Sequence, residues 1–131
     1  MDDKFKTFNE AINITAVNPT ANTFVNTCFG AITATHHRHL IESSYAIHMA
    51  LGEFYTSLQG LLDTATEAYL ADPQKTLEFA HVDFSNGGAI DGVKNATIAF
   101  RNVVNDDAVI NILDDICSLC ATTQYKMKRL S

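Results

Sequence analysis

Three cysteines, at positions 28, 117 and 120, are an odd number with no spacing expected of a disulfide framework, so the chain fits a reducing compartment. Basic residues are scarce as well. Nine Lys and Arg stand against fifteen Asp and Glu, a net charge of −6, and they gather only at Lys126, Lys128 and Arg129. That balance excludes a broad nucleic-acid-binding face. No run approaches the roughly 18–20 apolar residues that span a bilayer. The start, MDDKFKTFNEAI, is too polar for a secretory leader. The expectation is a soluble, unexported chain with no membrane partner. Strand-like alternation is nearly absent, and there is no internal repeat or low-complexity segment.

What is present is helical periodicity in a chain of 131 residues, 47% hydrophobic, long enough for one domain with one core. Residues 3–13 form a short amphipathic candidate (Phe5, Phe8, Ile12) within a peripheral arm, 1–17. Asn18-Pro19 is an N-cap followed by proline at the first helical position, and predicts a helix over about 19–41. Its stripe is Val25, Cys28, Phe29, Ile32, His36, His39 and Leu40. Ser43 or Ser44 caps a second helix that carries Ile47, Leu51, Phe54, Tyr55, Leu58, Leu62, Ala65 and Tyr69 and stops at Asp72-Pro73. Pro73 and Asn86-Gly87-Gly88 make 72–90 an irregular crossover. A third helix is expected over 90–104, using Ile90, Val93, Ile98, Phe100, Val103 and Val104. A fourth, capped within Asn105-Asp106-Asp107, runs to the end on Val109, Ile112, Leu113, Ile116, Leu119, Cys120, Thr123, Met127 and Leu130.

Two helices joined by a tight turn, a long crossover and two more helices is the ferritin-like way to build an all-α four-helix bundle. On that frame sits the chemistry. Four of the five histidines, His36, His37, His39 and His48, fall within thirteen residues, and Asp63 and Glu67 follow. Imidazole and carboxylate are the side chains that bind iron, manganese or zinc. His36 and His39 lie along one stripe and His37 faces outward. From the apolar centre of the second helix, His48 lies about 80° away, Asp63 about 140° and Glu67 about 180°. The carboxylates thus turn from their own core, and as like charges at i and i+4 they repel unless something cationic lies between them. Taken singly, each histidine reads equally as a hydrogen-bonded core residue, and the acidic pair as a solvated face.

The order His36, eleven residues, His48, then Asp63, three residues, Glu67 resembles the ferroxidase motif of the DNA-protection-during-starvation (Dps) branch of the ferritin-like superfamily. HRHLIESSYAIHMALGEFYTSLQGLLDTATEAYLA (37–71) and the ending ILDDICSLCATTQYKMKRLS resemble small, uncharacterised ferritin-like proteins of tailed phages. The likeness covers 23–71 well and 108–131 moderately. It implies a homo-oligomer in which iron, or a similar divalent metal, lies at a two-fold interface between one subunit's histidines and a neighbour's Asp63 and Glu67. The outward carboxylates of the helical wheel agree with that.

The family's further Asp, one turn after the second histidine, is Gly52 here, with Glu53 rotated by about 100°. Classical spacing picks His36 as His48's companion, and the phage relatives pick His39. Glu53 and Tyr55, about 20° from His48, are possible accessories. Iron binding with weak or absent ferroxidase activity is therefore one expectation. A phage-encoded structural or interaction protein without metal chemistry is the alternative, and a monomeric helical adaptor a third. The setting is the host cytoplasm or a virion, with other virion proteins as possible partners and no tight DNA binding. Cys117 and Cys120 are read as packing residues, and His81 has no assigned role.

Overall fold

The computed structural model of the chain describes residues 18–131, and its four regular elements are all helices. They are α1 (Pro19–Ile41), α2 (Tyr45–Leu70), α3 (Ala89–Arg101) and α4 (Asp107–Arg129). The expected helix over 3–13 lies outside the described residues. Among those residues no helix is long and apolar enough to cross a membrane.

The caps are those the sequence predicts. Asn18 Oδ1 accepts the Thr20 N–H at 2.9 Å, Ser44 Oγ accepts the Ile47 N–H at 3.3 Å, and Asp106 Oδ1 accepts the Ala108 N–H at 2.9 Å. Each takes up an N–H that the first helical turn leaves unbonded. α2 ends before Asp72-Pro73, because proline disfavours helical geometry in the residue that precedes it.

α1 adjoins α2 and α3, and α4 adjoins the same two, so the helices stand at the corners of a square. The tight turn makes α1 and α2 antiparallel. The crossover, 71–88, then runs back along α1: Glu78 bonds Asn22 and Asn26, and Phe79 meets Phe29 edge-on at 6.3 Å. α3 therefore starts beside the start of α2, and α4 returns, with Gln124 reaching Asp91 and Lys126 reaching Glu53. The path is up, down, down, up, and every adjoining pair is antiparallel. Between the helices lie Phe24, Phe54, Phe100, Leu58, Leu62, Leu113 and Ile116, none more than 1% exposed. Phe100 contacts Phe24 at 5.2 Å and the Tyr69 edge at 5.4 Å.

Three stripes differ from expectation; on α4 the difference is only Leu130, which lies past the helix end and is exposed. On α1 the buried face is Ala21, Phe24, Val25, Cys28, Ala31 and Thr35, while Phe29 and Leu40 are exposed. Asn26, Thr27 and Gly30 are buried too, because α1 is covered from a second side by the crossover, whose backbone supplies polar partners. A one-face stripe does not capture a helix covered twice. On α3 the helix ends at Arg101, short of 104, and Ile98 and Val103 are exposed. There the Val103 and Val104 N–H groups both turn back to the Phe100 carbonyl and aim the chain at the Asp106 cap.

Candidate functional site

The turn Glu42-Ser43-Ser44 sets the geometry of the histidines. Glu42 Oε1 accepts the Ser44 N–H at 3.2 Å and its other oxygen pairs with Arg38 at 3.2 Å. Because α1 and α2 are antiparallel about this turn, the last turn of α1 faces the first turn of α2, and His39 and His48 meet there. The His39 Nδ1 donates to the His48 carbonyl at 2.6 Å, and the His48 Nδ1 donates to the His39 carbonyl at 2.6 Å. A carbonyl only accepts, so both Nδ1 atoms carry a proton, and Nε2 is the nitrogen left on each ring to take a ligand. The rings stack with centroids 3.8 Å apart and planes 16° apart. One partner carbonyl, that of His39, lies in the last turn of α1, where carbonyls have no helical partner.

Gly52 belongs to the same arrangement. A Cβ there would lie 2.9 Å from His39 Cε1 and 3.1 Å from its Nδ1. The position where the resembled family carries a carboxylate is thus filled from outside by the His39 ring. Next to it, His36 stacks on Tyr55 at 4.3 Å, and Tyr55 presents its edge to His39 at 5.5 Å. Tyr55, expected beside His48, touches His36 and His39 instead. His36 and His37 are exposed, whereas His39 and His48 are half-buried.

This geometry limits what the cluster can hold. A metal about 2.0–2.1 Å from a ring nitrogen lies near the plane of that ring. Two nearly parallel planes stacked face to face do not meet near the rings, so His39 and His48 cannot share one ion while stacked. His36 and His39 stand 6.3 Å apart at 54°. One imidazole nitrogen per ion is what the stacked pair offers.

Asp63 and Glu67 are exposed on the outer face of α2, as the helical wheel requires, and enter no ion pair among the described residues. Asp63 stands about 22 Å along the axis from His48, at about 1.5 Å per residue. Among the described residues of one chain, no group of three or more His, Cys, Asp or Glu comes together as a metal site. Glu53 turns instead to Lys126 Nζ at 2.6 Å, an exposed pair of small energetic weight.

The three cysteines are free thiols within the packing. Cys28 and Cys120 are buried in the core, and burial pushes the Cys120 thiol up to about 12 and Cys28 further. Half-buried Cys117 is also raised, chiefly by burial. His81 is exposed on the crossover; nearby, Asp83 accepts the Ser85 N–H at 2.8 Å and its hydroxyl at 3.1 Å, which hold its carboxyl below the usual range. Sequence reasoning missed the reciprocal pairing of His39 with His48 and the contact with Gly52. The nearness of both histidines to the turn, in the last turn of one helix and the first of the next, was the signal for both.

A family of unknown function (DUF5856) matches residues 39–127, a span that takes in His39, His48, Gly52, Asp63 and Glu67 and leaves out His36. No curated protein and no solved structure matches the chain. The match covers well over half of the chain, from the histidine clasp to the last turns of α4, and the chain belongs to this family of unknown function.

Proposed function

We propose that the chain is the subunit of a ferritin-like, Dps-like homo-oligomer that binds iron, or a similar divalent metal, between subunits, with weak or absent ferroxidase activity. The observation that carries this reading is the histidine clasp. Each Nδ1–H of His39 and His48 is tied to a main-chain carbonyl, which fixes the tautomer and leaves Nε2 for a ligand. Metal-binding histidines are commonly oriented by such a second hydrogen bond. Asp63 and Glu67, outward and without an ionic partner among the described residues, supply oxygen donors suited to a neighbour's histidine. The up, down, down, up path with one long crossover supports the ferritin-like assignment.

In this reading a cation takes one clasp nitrogen, from His48 or His39, with Asp63 and Glu67 of the two-fold-related subunit; His36 lies alongside. Bound iron would supply one-electron redox chemistry. The chain's own contribution is to hold the nitrogen and the carboxylates in place. Weak turnover follows from two features: the His39 ring stands where a further carboxylate is expected, and the stack gives each ion a single nitrogen. The N-terminal lysines are balanced by acids and the net charge is −6, so tight DNA association is not part of the proposal.

A second reading is favoured by the same clasp. Reciprocal hydrogen bonds, stacking and the Gly52 contact give His39 and His48 a complete packing role, as in a structural or interaction protein of a phage, in the host cytoplasm or the virion, without metal chemistry. Anaerobic Fe²⁺ titration of the parent, His48→Ala and Asp63→Ala separates the two. The metal reading expects both variants to lose the same binding step, and equal binding in all three would sink it. Sedimentation as a single 14.4 kDa chain would exclude any intersubunit site.

A further inference from the structure

A cleft of about 600 Å³ lies where α1 and α4 end and α2 and α3 begin. That is within the roughly 300–1000 Å³ of small-molecule sites. Its wall is apolar, formed by Ile47, Leu51, Phe84, Ala89, Ile90 and Met127. Arg38, Lys128 and His37 also line it. The one carboxylate of the lining, Asp91, accepts a hydrogen bond from Gln124 Nε2 at 2.5 Å. Arg38 shares its charge with Glu42, and Lys128 enters no ion pair among the described residues. α3 starts here at Gly88 (φ 81°), with no side chain capping its first N–H groups. In a chain of net charge −6, cations have gathered around an apolar cleft. The C-terminal ends of α1 and α4 attract cations by their dipoles, but they do not account for an open apolar cavity between them.

We propose that this cleft binds a single-chain amphiphile with a carboxylate head, its hydrocarbon tail against Ile47, Leu51, Phe84 and Met127 and its carboxylate beside Arg38 and Lys128. The cations select an anionic head, and the apolar wall selects a hydrocarbon tail over a small polar anion. None of the cleft residues is a clasp histidine, Asp63 or Glu67, so the proposal does not depend on metal binding.

The test is calorimetric titration of the full chain with decanoate below its micellar concentration, beside decanol and decyltrimethylammonium. Decanoate should bind saturably, and the cationic amphiphile at least about tenfold more weakly. Arg38→Gln with Lys128→Gln should weaken decanoate about tenfold and leave decanol within about twofold. Ile90→Trp, which fills the cleft, should weaken both by about tenfold or more, and Ala34→Leu serves the same purpose if the tryptophan variant does not fold. Absence of saturable decanoate binding, equal binding of the cationic amphiphile, or indifference to both kinds of variant would overturn the proposal.

Discussion

Gly52 lies within α2, where glycine costs about 0.5–1 kcal/mol relative to alanine. Its presence is explained by the His39 ring, which occupies the space of the missing Cβ. Gly52→Ala should therefore destabilise the fold by about 1–2 kcal/mol in denaturant unfolding, overpacking outweighing the gain in helix propensity. In a His39→Ala background the same substitution should stabilise. A gain in stability in both backgrounds would remove the clasp from the account. The candidate ligands were visible in the sequence as residue types, because five imidazoles in 131 residues are few enough to notice and Asp63 and Glu67 stand four apart on one helix. Their pairing was not, because it depends on where a three-residue turn brings two helices together. At the same scale, burial keeps Cys28 and Cys120 protonated in the folded state. Their ordinary range is near 9, so unfolded thiols ionise above that pH while folded ones do not. Stability should be insensitive to them below about pH 8 and fall above about pH 9, with up to about 1.4 kcal/mol per pH unit for each thiol. Cys28→Ala should flatten that fall in pH-dependent unfolding, and an unchanged slope would contradict the assignment.

Among the elements, α2 and α4 were legible in detail because each buries one continuous stripe, and caps at Asn18, Ser44 and Asp106 fixed their beginnings and that of α1. α1 was legible in extent but not in facing. Its second buried side is covered by the crossover, an irregular segment whose path no periodicity announces. Asn22 and Asn26, one turn apart, hold both main-chain groups of Glu78, and an added Cβ at Gly30 would collide with the Val82 carbonyl oxygen. Asn26→Ala should cost about 1 kcal/mol and speed proteolysis within 77–84, with helical circular dichroism unchanged. Gly30→Ala should do the same more strongly. Unaltered cleavage in both variants would show that these contacts do not fasten the crossover.

For the whole molecule, the decisive question is whether the nitrogens and oxygens of the candidate site come from different chains. Within one chain they are separated along α2, and the outward face of Asp63 and Glu67 is why the account needs a neighbour. The sequence carried the two candidate sets of donors but not their meeting, which the proposal assigns to assembly. The most direct measurement is anaerobic Fe²⁺ titration of oligomers co-refolded from equal amounts of His48→Ala and Asp63→Ala chains. Half of randomly formed two-fold pairs are mixed, and each mixed pair has one intact site of its two, so about a quarter of the parent's sites should return at the parent's affinity. Binding no greater than that of the separate variants would contradict an intersubunit site.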